Sequence, residues 1–211
     1  MIRCITPLIF IIVVLTAVFM LAKWSSAQPV TPPQNVQKQL DEISTIITPK
    51  LVFVTSTPYD GNLGGLAGAD AKCQEAADNA GLEGTFMAWL SDNSDSPSTR
   101  FTTLSLGPYI TTRPGSGTIA GSWSDLTDRE IRDFINSNEN GVSIIGSTEV
   151  WTGTGSNGGR GVLDPTCDGW TSGDATELGV VGTTNELDDS WTFHNIRSCD
   201  NTFPIYCFQV Q

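Results

Sequence analysis

His194 is the only histidine in the sequence, so a relay that pairs a nucleophile with an imidazole base has to pass through it. No Gly-x-Ser-x-Gly elbow or other nucleophile signature accompanies it, and Phe193 and Asn195 flank it on an expected strand. The expected role of His194 is therefore structural or merely exposed. Carboxylates are plentiful, and two of them facing each other across a cleft would support hydrolysis, an alternative that linear spacing leaves open. The densest run of oxygen donors is Asn185, Glu186, Asp188 and Asp189 ahead of Trp191, with Asn195 beyond. Such oxygens are what calcium takes, about six to eight at a time, and the run supplies part of that set. A solvated acidic loop is the competing reading. Asp92, Asn93 and Asp95 form a smaller cluster with only composition behind it.

Aromatic faces and one arginine complete the set of candidates. Trp151 and Trp191 lie in strand-like contexts and are expected to pack in the core. Trp123 and Trp170, flanked by Gly, Ser and Asp, are expected to be exposed binding anchors. Arg160, inside Asn157-Gly-Gly-Arg160-Gly161, is a candidate partner contact, with a salt bridge in an acidic protein as the plainer account.

These residues must be positioned by a mixture of helices and short strands. Leu51-Val-Phe-Val-Thr-Ser predicts a strand that ends at Pro58 and the Asp60-Gly61 turn. Leu66, Ala69, Cys73, Ala76, Ala77 and Ala80 share one helical face, with Gly81 as a C-terminal stop, so Cys73 is expected to point inward. Residues 85–91 predict a strand. Ser124 or Asp125 is expected to cap a second helix running to about Asn136, with Leu126, Ile131, Phe134 and Ile135 as its stripe. From Glu149 onward short strands alternate with Gly-, Ser- and Asp-rich loops, and no internal repeat interrupts the pattern. The expected class is α+β with long irregular loops.

Residues 1–27 differ from the rest: Arg3, an apolar run from Cys4 to Ala22, then Lys23-Trp24 and Ser25-Ser26-Ala27. This predicts a signal peptide cut after Ala27 or, since the run approaches the ~20 residues that span a bilayer, an uncleaved signal anchor. Residues 28–50 predict a Pro/Gln-rich spacer and a short amphipathic helix built on Val36, Leu40, Ile43 and Ile47, which either packs on the domain or self-associates. Residues 51–211 form the expected domain. Cys73, Cys167, Cys199 and Cys207 follow the leader, and an even count in an exported chain predicts two disulfides with their pairing open. Nine basic residues stand against 23 acidic ones after residue 27, a net charge of −14, which disfavours nucleic acid, heparin-like polyanions and anionic membranes as partners. Membrane contact is expected only through an uncleaved leader. The expected localisation is secreted or cell-surface.

Three segments resemble the endostatin-like branch of the C-type-lectin-like fold: Leu66-Ala-Gly-Ala-Asp-Ala-Lys-Cys73 running on into Ala80–Ser91; Val150-Trp151-Thr-Gly153 with Asn157–Arg160, Cys167 and Trp170; and Ser198-Cys199 followed by Ile205-Tyr-Cys207. The resemblance implies a nested pairing, Cys73 with Cys207 and Cys167 with Cys199. It does not carry function with it. The zinc-binding histidines of collagen-derived endostatin have no counterpart before His194, and the six arginines after the leader are interspersed with acids, unlike its heparin-binding surface. Lectins of this fold place calcium ligands in a loop ahead of a Trp-containing strand, as residues 185–191 do, but the Glu-Pro-Asn and Gln-Pro-Asp tripeptides are missing and Trp191 is not followed by Asn-Asp. The expected function is noncovalent binding of an extracellular protein or matrix-type ligand by a protein that is not an enzyme and needs no cofactor. Calcium-assisted carbohydrate binding is the first alternative, and a carboxylate-based hydrolase the second.

Overall fold

The computed structural model describes residues 32–101, 107–161 and 165–210, without the side chains of 42 and 45–47. The expected leader, with Cys4, lies outside this set, as does the side chain of Ile47. The chain divides into two units, residues 1–42 and 43–211. Helix α1 (Gln34–Ile47) crosses that division; Val36, Leu40 and Ile43 are exposed on it, and Gln37 Nε2 donates to Asp41 at 2.8 Å. Among the described residues no helix is long and apolar enough to cross a membrane.

The second unit is a mixed α+β domain with two sheets. β1 (Lys50–Val54) lies between the last strand, β8 (Tyr206–Gln209), which it meets antiparallel, and β3 (Tyr109–Thr111), which it meets in parallel. β2 (Phe86–Ala88) extends one edge and β4 (Thr118–Ala120) the other, for the order β2-β8-β1-β3-β4. The second sheet is antiparallel: β5 (Glu149–Trp151), β6 (Leu178–Thr183) and β7 (Asn195–Ser198), in that order. A parallel bridge from Trp151 to Ile205 ties it to the residues leading into β8. Strand β7 is an edge, and two of its own side chains occupy its backbone: Asn195 Oδ1 accepts from the Ile196 N–H, and Arg197 donates to the Ile196 carbonyl. This blunts an otherwise pairable edge.

Helix α2 (Gly65–Asn79) follows the expected stripe, with Ala69, Cys73 and Ala77 buried. Gly81, just past its end, has a φ of 69°, the left-handed conformation that glycine adopts without a Cβ penalty. The helix is held across the sheet by Asp70, which accepts the Ala88 N–H at 2.9 Å and the Arg100 guanidinium at 2.5 Å; Arg100 closes the short helix α3 (Pro97–Arg100).

Two apolar clusters fill the domain. One gathers Trp89, Phe101, Tyr109, Trp191, Tyr206 and Phe208 with Leu126, Ile131 and Ile135; Trp89 meets the rings of Trp191 and Phe208 at 5.0 Å each. The other holds all four bonded cysteines with Phe53, Trp151 and Trp170. The disulfides join Cys73 to Cys207 and Cys167 to Cys199, the nested pairing that the resemblance implies. Between them runs a buried polar chain: Trp89 Nε1 donates to the Thr192 hydroxyl, which donates to the Thr154 carbonyl, while the Thr154 and Ser91 hydroxyls are 2.8 Å apart.

Two expectations fail here. The helix expected from residue 124 to 136 stops after one turn, α4 (Trp123–Leu126), capped by the Ser122 hydroxyl. Arg129 takes a φ of 96°, and the next N–H groups leave the helical pattern, Ile131 donating to the Leu187 carbonyl at 2.7 Å and Arg132 to Ile119 at 2.8 Å. Ile131 and Ile135 are buried all the same, because tertiary packing recruits them from an irregular segment. Trp170, expected to be exposed, is fully buried: it closes α5 (Cys167–Trp170), and its indole donates to the Ser91 carbonyl at 2.8 Å.

Candidate functional site

Positive φ angles at Cys167, Asp168, Gly169 and Trp170, between 50° and 65°, make α5 a left-handed turn. Three of these residues carry side chains that disfavour this conformation by roughly 1–2 kcal/mol each. The Cys167–Cys199 bond, the buried Trp170 indole and the Thr166 hydroxyl accepting from Gly169 hold it in place. Its role is to seat Trp170 under Gly153, where an added Cβ would come within 2.8 Å of the indole.

The residues that converge on an open surface lie elsewhere. Segment 125–134 and segment 185–189 are joined by the Ile131–Leu187 backbone bond, and two recesses of about 630 and 460 Å³ flank it. The recesses share Glu130, Ile131, Leu187 and Asp188 and so read as one groove. Its apolar part is the half-buried Phe134 and the partly exposed Leu187; Ile131 lines it but is itself buried. Around this stand six carboxylates, Asp125, Asp128, Glu130, Glu186, Asp188 and Asp189, against two guanidinium groups, Arg129 and Arg132. The groove is strongly acidic.

Its charges are partly organised. Arg129 reaches Asp189 at 3.1 Å and Arg132 reaches Asp125 at 2.7 Å, both arginines being largely exposed, so each pair contributes at most about 1 kcal/mol to stability. Partial burial pushes the Asp125 carboxyl up, but the Gly121 N–H at 2.5 Å and the bond and charge of Arg132 outweigh it and hold Asp125 below its ordinary value. Asp188 is also held low, by the Ser190 N–H that it caps at 2.9 Å and by the Ser190 hydroxyl. Arg129, in a left-handed conformation unusual for a side-chain-bearing residue, lies on this groove. Strained backbone of this kind concentrates where a surface is shaped for use.

Of the calcium candidates, Asn185, Glu186, Asp188 and Asp189 all line the groove, whereas Asn195 lies on β7 with its Oδ1 on the Ile196 N–H. Among the described residues no three His, Cys, Asp or Glu side chains converge as a metal-holding group. Asp188 is engaged as a helix cap and Asp189 by Arg129, so a cation here would have to draw Asp189 from its arginine. Trp123 is half-buried, its ring 5.9 Å from both Trp89 and Phe101, which corrects the expectation of an exposed anchor. Arg160 is exposed, and its guanidinium donates to the Asn93 carbonyl rather than to an acid. The loop it ends does meet Trp123, since a Cβ on Gly158 would come within 3.0 Å of that indole. His194 is exposed. The only carboxylate side chain buried among the described residues is Glu139, which bonds to Ser56. The 128–134 wall is not evident from the sequence, because its apolar residues fit a helical stripe; the five-residue step from Leu126 to Ile131, longer than a helical repeat, is the available signal.

No protein-family model matches the chain, and no curated protein is significantly similar to it in sequence.

Proposed function

We propose that this protein is an extracellular or cell-surface binding module of the C-type-lectin-like, endostatin-like type, which holds a basic face of a protein or matrix-type ligand in the groove between residues 125–134 and 185–189. The observation that carries this reading is the groove itself, an apolar strip of Phe134 and Leu187 edged by six carboxylates and only two arginines. Apolar area supplies affinity and the acidic rim selects partners of opposite charge. The two disulfides suit an oxidising compartment. The chemistry is noncovalent, and no cofactor enters it.

Calcium-assisted carbohydrate binding is the second reading, favoured by Asn185, Glu186 and Asp188 lining one recess. A screen of the purified protein against extracellular-matrix proteins and a glycan array, in chelator and again in calcium, separates the two. Retention by a protein ligand in chelator, weakened by salt, supports the first. Calcium-dependent retention by glycans alone transfers the groove to the second.

A further inference from the structure

Thr55 and Ser56, just past β1, stand between two hollows that share them. One, of about 390 Å³, is polar and bounded by Tyr59, Lys72, Glu75, Asn79 and Glu139. The other, of about 270 Å³, is more apolar, with Pro58, Ile144 and Pro204 in its wall. Glu139 is nine-tenths buried between chain and hollow. Its Oε2 accepts the Ser56 N–H at 2.9 Å, and its Oε1 takes the Ser56 hydroxyl and the Asn140 amide. The Lys72 ammonium lies 5.2 Å from the centre of the Tyr59 ring. Two carboxylates against one ammonium leave the polar hollow negative. The Tyr59 hydroxyl responds to this, held above its ordinary value first by partial burial and then by the charges of Glu75 and Glu139.

The segment that supplies Ile144 also carries the most exposed large apolar side chains among the described residues, Val142 at 60% and Ile145 at 97%. Its backbone is nevertheless fixed. Asn138 exchanges bonds with Val142, giving its N–H to the Val142 carbonyl at 2.9 Å and taking the Val142 N–H on its side chain at 3.0 Å, while Ile144 N–H donates to Asn136 at 2.7 Å. Apolar groups displayed on an already ordered loop lose little entropy on docking, which is what a contact surface requires.

We propose that this double hollow is a second docking site, which takes an extended segment of a partner protein carrying an aliphatic side chain next to a basic one. The aliphatic side chain enters between Pro58, Ile144 and Pro204, and the basic one faces Glu75 and Glu139. Charge complementarity selects this occupant: the hollow is negative, and the net charge of −14 after residue 27 opposes both a second copy of the chain and an anionic lipid surface. The site shares no residue with the acidic groove and stands whether or not that groove binds a ligand.

The test is an array of immobilised peptides in which aliphatic–charged pairs (Leu-Arg, Ile-Lys, Leu-Glu, Ile-Asp) sit in a Gly-Ser scaffold, probed with the full-length, disulfide-intact protein. Leu-Arg and Ile-Lys peptides are expected to be retained about two- to fivefold better than their acidic counterparts, the ratio that one exposed charge pair supports. Glu75→Lys should reverse that preference and Pro58→Asp should abolish retention. Both side chains are exposed, so the variants should melt with the wild type. Failure to retain any peptide, retention indifferent to charge, or a preference that survives Glu75→Lys overturns the proposal. So does retention of a second copy or of anionic vesicles in place of the basic peptides.

Discussion

Among the described residues, the left-handed turn at Cys167–Trp170 and the left-handed Arg129 are the two places where residues with side chains hold an unfavourable backbone, and they are held in opposite ways. The turn is anchored by a disulfide and a fully buried indole inside the cysteine-bearing cluster. Arg129 is anchored by a surface ion pair and lies on an open groove beside the aromatic cluster. Strain that is covalently pinned and buried belongs to the architecture: it places Trp170 and closes one core. Strain at an exposed, charged rim belongs to the working surface, where its cost is tolerated for the shape it gives.

Breaking the staples should have the largest effect. Cys73→Ser with Cys207→Ser opens a loop spanning a sequence separation of 134 and should cost about 4–5 kcal/mol; Cys167→Ser with Cys199→Ser, at a separation of 32, should cost about 3–4 kcal/mol. Denaturant melts give both values. Trp170→Ala should follow at about 3–5 kcal/mol, by leaving a cavity and the Ser91 carbonyl unpaired, whereas Trp123→Ala, from a half-buried site, should cost clearly less. A reversed order would mean that the turn does not organise the core. At the backbone itself, Asp168→Gly should stabilise by about 1 kcal/mol, because Asp168 is exposed at a φ of 54°. Arg129→Gly should be stability-neutral or slightly stabilising and should strengthen retention of a basic ligand, because it frees Asp189 and removes one of the two positive charges of the acidic groove, which a pair of melts and one binding assay check.

Acid sharpens the comparison further. Asp125 is held below its ordinary value in the folded protein, so its contribution is present above the unfolded carboxyl range near about pH 3.9 and is lost as pH falls through the depressed folded value. Wild type should therefore lose more stability in that acidic window than Asp125→Asn, by a small margin fitting a solvent-screened rim, and equal acid profiles would mean that neither the Gly121 N–H nor Arg132 stabilises the Asp125 carboxylate.

Much of this was legible in the sequence, and for identifiable reasons. The β1 strand, helix α2 with Cys73 inward, and the burial of Trp151 and Trp191 follow from local periodicity that tertiary contacts reinforce. The oxygen-rich run 185–189 was visible as a candidate, though not as one wall of a groove, because its opposite wall comes from residues about fifty positions earlier. The burial of Trp170 is hidden in the sequence because its Gly, Ser and Asp neighbours look like a surface loop, while the Cys167–Cys199 disulfide holds that loop against the core. Residues 128–135 misled because buried isoleucines in an irregular segment mimic a helical stripe.

The role of the groove rests on Leu187, whose side chain is partly exposed on the apolar strip while its carbonyl holds Ile131 through the backbone. Leu187→Asp leaves that bond in place and removes the apolar contact. The dissociation constant for the ligand recovered from the protein and glycan screen, measured beside the melting temperature, should rise at least about tenfold with melting essentially unchanged, equivalent to about 1.4 kcal/mol of lost binding. An unchanged dissociation constant in a correctly folded Leu187→Asp protein would contradict the assignment of this groove as the binding surface.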